Sequence, residues 1–344
     1  MTEANKQKLI VVLGMHRSGT SAITRGLKVL GVELGDNFLP PGANDNVKGY
    51  WEDLDLYTLN VEMLRFIGRD WYNLIPIQSD DIEVLRKKGF FPRAVALLLQ
   101  KTGDSPVFGF KDPRVAKLIT FWKDVFSQCQ LDVSYVMPLR HPLSVVKSLS
   151  KRDGFEAEKS YLLWLGHVIA SLTGTAGDKR VFVDYDRLMQ NPDRELMRIA
   201  KCTGLGIDIA ELQSYKKDFL DQGMRHSVYD LNDLLLDDAC SPLVRDIYTA
   251  LLEVASDEKR VDDLSLQKEV AIWASEFERL KSSLALIDRH TQTIATLNQA
   301  LAERDRQIGS LKQTLVAIES SKSWKLAKVI RKIGKYLIPK DNYQ

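Results

Sequence analysis

The chain has 344 residues, 44% hydrophobic and 27% charged, ordinary values for a globular protein of one large or two modest domains with a sizeable core. That balance excludes disorder and a collagen-like chain. Forty-eight Lys and Arg face 46 Asp and Glu for a formal charge of +2, which argues against a surface built to coat nucleic acid.

Residues 1–8 read as a polar leader, and residues 9–13 form a continuous β-prone apolar run ending at Gly14, as expected of a buried parallel strand. The run is too short for a signal segment, and no stretch of the sequence is long enough to span a bilayer. Across residues 18–30, Ala22, Ile23, Leu27 and Leu30 fall at helical spacing, with Gly31 placed to end the helix. A turn at Pro40-Pro41-Gly42, the run GYWEDLDLY, a helix over residues 54–64 and an amphipathic stretch over 94–99 read as a mixed insertion. A second strand–helix unit begins at residues 132–139, passes Arg140-His141-Pro142 and continues through Val145, Val146 and Leu149. A third runs from a strand at 180–185, past Asn191-Pro192, into a helix marked by Leu196, Ile199 and Ala200. Such alternation implies an α/β fold with a parallel sheet between helices. Cys129, Cys202 and Cys240 lie far apart with no CxxC pair, so neither a disulfide framework nor a thiolate zinc site is expected, and a reducing compartment is the simplest setting.

After about residue 263 the pattern changes. Ile287, Ile294, Leu301, Ile308 and Leu315 recur every seventh residue, and Leu297, Leu311 and Ile318 occupy most of the second seam position, with His290 and Arg304 interrupting it. A coiled coil, and with it a homo-oligomer, is expected; a lone amphipathic helix is the alternative. Residues 321–340 carry seven Lys or Arg and no acid, interleaved with Trp324, Leu326, Val329, Ile330, Ile333 and Leu337. This tail suits the surface of an anionic membrane, or else is a solvated helix end. The expected divisions are residues 1–270 for the α/β domain, 271–321 for the coiled coil and 322–344 for the basic tail.

Gly14-Met15-His16-Arg17-Ser18-Gly19-Thr20-Ser21 follows a strand and opens a helix, the setting in which a glycine-rich loop cradles an oxyanion on helix N–H groups. The hydroxyls of Ser18, Thr20 and Ser21 could add donors. Triphosphate-binding loops carry Lys where this chain has Thr20, and the cation stands instead at Arg17. A strand followed by [K/R]-S-G-[T/S]-[T/S] resembles the 5'-phosphosulfate loop of sulfotransferases, in particular the carbohydrate and protein-tyrosine branches. Arg140-His141-Pro142, with Ser148 and Arg152 at i and i+4 on the next helix, resembles the 3'-phosphate motif of the same family. Phe110-Lys111-Asp112-Pro113-Arg114 resembles its K-D-P segment, and Gly49-Tyr50-Trp51-Glu52-Asp53 the G-[YF]-[WF]-E-[DN] segment of bacterial members.

The resemblance, which covers residues 8–230, implies a three-layer fold with a phosphate-loop-like sheet and transfer of a sulfuryl group from 3'-phosphoadenosine 5'-phosphosulfate. Arg17, Ser18, Gly19, Thr20 and Ser21 would hold the 5'-phosphosulfate, and Arg140, Ser148 and Arg152 the 3'-phosphate. Lys111 and Arg17 would neutralise charge on the leaving oxygen, and Glu52 would be the base. No metal cluster appears in the sequence and none is expected. Alternatively, Glu52 and Asp53 are helix N-terminal acids, Lys111 sits on an ordinary turn, and Asp112 and Arg114 form a loop-shaping pair. His16 would flank the anion and His141 pack structurally. Trp51, Trp71 and Tyr72 could stack on sugar rings at an acceptor mouth, although buried aromatics of the insertion are the safer expectation, and Arg225-His226-Ser227 lies where the family folds a loop over the 3'-phosphate. Heptads followed by a basic Ser-Trp-Lys tail resemble the ends of bacterial enzymes that modify surface polysaccharides, which implies a glycan acceptor at the cytoplasmic membrane face. A nucleotide kinase or NTPase and a non-catalytic scaffold are the competing classes.

Overall fold

The computed structural model describes residues 6–42, 48–103, 105–220 and 229–337. Four strands, β1 (Lys8–Val12), β2 (Val107–Lys111), β3 (Asp132–Leu139) and β4 (Lys179–Asp184), form one parallel sheet in the order β2-β1-β3-β4. Register pairs Val12 with Lys111 on one side and with Val136 on the other. The connection from β1 leads to one edge and that from β3 to the other, so the β1/β3 crevice at the carboxyl ends is the topological switch point, where ligands bind in such sheets.

Strand pleating divides the core. Leu9, Val11, Leu13, Tyr135, Met137, Leu139 and Phe182 belong to one apolar cluster, whereas Ile10, Val12, Val136, Val181 and Val183 belong to another, as alternating side chains of a doubly covered sheet must. The first face is covered by α2 (Leu54–Phe66), α3 (Ser79–Lys87), α4 (Phe90–Thr102), α5 (Arg114–Lys117), α6 (Ile119–Gln128), α7 (Pro142–Asp153), α8 (Ala157–Gly174), α12 (Leu231–Leu235), α13 (Pro242–Ala255) and α14 (Leu264–Arg279). The second is covered by α1 (Thr20–Gly26) with its 3-10 extension Leu27–Leu30, α9 (Tyr185–Gln190), α10 (Pro192–Thr203) and α11 (Ile209–Ser214).

The three expected strands form within a residue of their expected places. Strand β2 has no counterpart in the sequence reading. Only five residues long, it follows Pro106 and contains Gly109, both poor strand signals. The glycine has a steric reason, since a Cβ there would lie 2.6 Å from Val32 Cγ1. The expected single helix over 18–30 starts at Thr20 and tightens to 3-10 geometry at Leu27.

Two compact units divide the chain at Met1–Ala285 and Leu286–Gln344. The boundary falls later than the expected 270 because α14 packs on the globular body, with Trp273 and Phe277 buried and Phe277 against Gly166 of α8. Helix α15 (Lys281–Ser320) and α16 (Lys322–Leu337) follow. In the second unit every apolar seam residue from Ile287 to Ile318 is exposed, Leu301 by 60% and Leu311 by 68%. Among the described residues no helix is long and apolar enough to cross a membrane.

Candidate functional site

The loop from Gly14 to Ser21 sits at the β1 end of the switch-point crevice. Gly19 is the residue before α1, with φ 86°, and a Cβ there would lie 2.1 Å from Tyr185 Cδ2. Only glycine fits this combination of left-handed backbone and ring contact. Arg17 is also left-handed, with φ 69°, an unfavourable conformation for a side-chain-bearing residue and one that concentrates at functional loops.

Arg17 is the hub of one cluster. Its Nε donates to Ser148 Oγ at 2.7 Å, and its carbonyl accepts from Arg140 Nη1 at 2.8 Å. The Arg140 guanidinium lies 4.7 Å from the Tyr185 ring centroid. Residues 131 and 123 positions apart in the chain thus meet at the α1 N-terminus, whose first-turn N–H groups lack intrahelical acceptors. Arg152 has further partners. Its Nε donates to Asp153 Oδ2 at 2.8 Å and its guanidinium covers Trp71 at 5.2 Å.

Two of the loop hydroxyls are engaged with backbone in this conformation. Ser18 Oγ donates to Met15 O at 2.6 Å, Ser21 Oγ donates to Tyr50 O at 3.0 Å, and Thr20 is buried. The Ser18 and Ser21 hydroxyls thus take local carbonyls in this conformation. Arg17, Arg140 and the loop N–H groups remain the means of holding an anion.

A second cluster lies toward β2. Lys111 Nζ donates to Tyr50 O at 2.8 Å and to Glu52 Oε1 at 2.7 Å. Since Ser21 and Lys111 bond the same carbonyl oxygen, their donor atoms are within about 6 Å of each other. Glu52 Oε2 lies 3.6 Å from Arg114 Nη1, which is also 2.9 Å from Asp112 Oδ1. Asn60 Nδ2 donates to Asp112 Oδ2 at 2.9 Å, and Trp122 Nε1 donates to Asn60 Oδ1 at 2.8 Å. A polar chain therefore runs from the aromatic core to the crevice. Lys111 and Glu52 side chains are 3% and 5% exposed; burial raises the Glu52 pKa, opposed by the Lys111 charge.

The two adjacent acids have separate roles. Asp53 caps α2, accepting from Asp55 N and Leu56 N at 3.0 Å each, and pairs with Lys101 at 2.7 Å. Glu52 turns the other way, to Lys111. The intervening peptide is fixed by Trp51 at φ 56° and by the Leu39 N to Glu52 O bond of 2.8 Å. Trp51 itself packs with Phe38 and Phe219 on the second face.

His16 is buried beside Trp71, with ring centroids 4.3 Å apart. Burial, reinforced by the Arg114, Arg152, His167 and Lys111 charges, holds its pKa well below the ordinary imidazole range, so it stays neutral near pH 7. Trp71 also meets Tyr72 and Phe155, and Lys159 covers Phe155 at 4.3 Å. His141 serves packing, with Nε2 2.9 Å from Asp230 O and its ring against Tyr229 and Tyr248. Arg225, His226 and Ser227 lie outside the described residues. Tyr185, Arg114 as a partner of Glu52, and the Asn60–Trp122 support were not foreseen. For Tyr185 a signal existed, because it ends the RVFVDY strand at the edge where ligands bind.

No protein-family model and no curated protein matches the chain. Among solved structures, the chain is similar to the sulfotransferase domain of the Synechococcus PCC 7002 olefin synthase, with 16% identity over 81% of this chain and 97% of that one, at a TM-score of 0.37. It is also similar to the sulfotransferase domain of the curacin biosynthetic pathway, with 17% identity over 70% of this chain and 90% of that one, at a TM-score of 0.37.

By its own chemistry, the arrangement places Arg17, Arg140 and a helix N-terminus where an anion can be held, next to a buried lysine–carboxylate pair that can manage a proton. Such a pairing suits transfer of an anionic group to a hydroxyl, with the cations offsetting charge that develops during displacement.

Proposed function

We propose that this chain is a sulfotransferase that moves a sulfuryl group from 3'-phosphoadenosine 5'-phosphosulfate to a hydroxyl of a glycan. The observation that carries the reading is the joining of Arg17 to Ser148 and of Arg140 to the Arg17 carbonyl, at 2.7 and 2.8 Å. The two motifs that resemble the 5'- and 3'-phosphate sites form one cradle at the switch-point crevice. Thr20 stands where a triphosphate-binding loop would need its lysine.

The residues fit the proposed co-substrate. When bound, it supplies the sulfuryl group and a phosphate leaving group. Arg17 and the first-turn N–H groups of α1, around Ser18, Gly19, Thr20 and Ser21, hold the 5'-phosphosulfate end. Arg140 and Ser148 hold the 3'-phosphate end, with Arg152 at the rim against Trp71. Lys111 adds positive charge near the leaving oxygen and keeps Glu52 in place through Oε1. Glu52 Oε2 accepts the acceptor's hydroxyl proton, and its raised pKa makes it a stronger base than an ordinary carboxylate. The half-buried Trp71, Tyr72 and Phe155, with Arg152 and Lys159 over their rings, form an aromatic and cationic wall beside the loop. A second copy pairs along the α15 seam, where Ile294, Leu297, Leu301 and Ile308 are exposed; a monomeric mass by light scattering at micromolar concentration would contradict that pairing.

The deciding experiment is calorimetric titration with 3'-phosphoadenosine 5'-phosphate in EDTA, on the wild-type chain and Arg140→Ala. Micromolar binding without divalent cation, weakened about 10-fold or more in the variant, is the expected result. Absence of binding by folded protein would remove the sulfotransferase reading, and Mg²⁺-dependent ATP hydrolysis would replace it with the NTPase one. Transfer of labelled sulfate to simple alcohols but to no saccharide would remove the glycan half alone.

A further inference from the structure

Helix α16 has two unlike faces. It carries six Lys or Arg and no acid. At about 100° per residue, Leu326, Val329, Ile330 and Ile333 fall within one arc roughly 100° wide. All four are exposed, by 63%, 55%, 61% and 53% respectively. Lys325, Lys328, Arg331 and Lys332 flank and oppose that arc. Trp324 falls with the basic residues rather than on the apolar stripe, so the interfacial tryptophan expected from the sequence is not part of the inserting face.

A second copy along α15 would leave Leu326, Ile330 and Ile333 of this stripe uncovered. Continued past Leu315 and Ile318, the heptad seam reaches Lys322, Lys325, Val329 and Lys332, three of the four charged. The chain breaks between the helices at Ser321, whose Oγ accepts from Trp324 N at 3.2 Å to start α16 afresh. Three of the four residues of the α16 face, Leu326, Ile330 and Ile333, thus lie off both seam positions, and only Val329 falls on the seam. Its cations call for an anionic partner, and its stripe calls for one with an apolar interior. A nucleic-acid backbone satisfies the first requirement and leaves four exposed aliphatic side chains without a role.

We propose that α16 docks on an anionic lipid surface, lying in its plane with the Leu326–Ile330 stripe at the headgroup–acyl boundary and the lysines among the lipid phosphates. This is independent of the sulfuryl-transfer reading, since it rests on residues of α16 alone.

The test uses the full chain in co-sedimentation with vesicles of phosphatidylcholine alone or mixed with phosphatidylglycerol. Leu326→Ser/Ile330→Ser and Lys328→Ser/Lys332→Ser double variants are run in parallel, with thermal unfolding of the globular unit confirming that each is intact. Wild type should bind the mixed vesicles at least about 10-fold more tightly than phosphatidylcholine, and each double variant should lose about 10-fold on the mixed vesicles. Equal affinity for both vesicle types, or no binding to either, would overturn the proposal. So would wild-type affinity in the Leu326→Ser/Ile330→Ser variant, and if that variant also bound RNA as tightly as wild type, a polyanion rather than a lipid surface would be the partner.

Discussion

On the β3 side of the crevice, Arg17, Arg140 and Ser148 are half-buried and joined by two contacts of 2.7 and 2.8 Å. On the β2 side, Lys111, Glu52, Asp112 and Arg114 are almost wholly buried and linked through Asn60 to the Trp122 indole. The first group is open enough to exchange partners with a ligand. The second is a desolvated set of charges in which each member depends on the others. Removing a residue should therefore impair ligand binding on one side and folding itself on the other.

The largest test of that contrast is Lys111→Met. It leaves Glu52 buried without its main counter-charge, and a loss of about 3–5 kcal/mol in urea unfolding is expected. Lys111→Met/Glu52→Gln should recover part of the loss. If the single variant unfolds like wild type, the contrast is wrong.

Acid should act next, through the imidazoles beside the buried network. Burial holds His167 at a pKa of about 3 and His16 well below its ordinary value. Between the unfolded value near ~6.5 and the folded one, the unfolded chain binds more protons, so stability falls as pH falls, by about 1.4 kcal/mol per pH unit for His167. Glu52 has the opposite sign, because its raised pKa gives a contribution present at low pH and lost as pH rises through the folded value. The net expectation is a steady loss from pH ~6.5 downward, made shallower in His167→Gln and read by urea midpoints across pH.

Asn60→Ala strands the Asp112 carboxylate and the Trp122 N–H, at about 1–3 kcal/mol for each unsatisfied partner. It should also shift the acid limb of any pH–rate profile governed by Glu52, which a change of packing alone would leave in place. The smallest stability effect belongs to Arg140→Ala, under about 1 kcal/mol by denaturation, while its nucleotide affinity falls about 10-fold. Equal losses in both assays would erase the distinction between the two sides.

Much of this site was legible because its parts are local in sequence. Gly19, Arg17 and Thr20 lie within a few residues of one another between an apolar strand and a helix, and Ser148 lies eight positions beyond Arg140 on the same strand–helix unit. Other parts were hidden for physical reasons. Strand β2 is short and contains Gly109, whose meaning appears only when Val32 is seen against it. The separation of Glu52 from Asp53 depends on the left-handed turn at Trp51, and neither residue type announces which way it will face. Arg152 shares a helix face with Ser148, and its contacts with Trp71 and Asp153 beside His16 of the loop could not be read from spacing.

By itself the sequence determined the alternation of strand and helix, the position of the glycine-rich loop, the heptad seam and the basic tail. Each of these is written in hydrophobic period or in residues at fixed short spacing. Only the tertiary structure decided that β2 completes the sheet, that the globular body extends to Ala285, that the Ser18 and Ser21 hydroxyls bond backbone, and that Lys111 and Glu52 form a buried pair supported from the core by Asn60 and Trp122. Those outcomes depend on which side chains meet across the chain and how much water is left between them, and no local pattern encodes either.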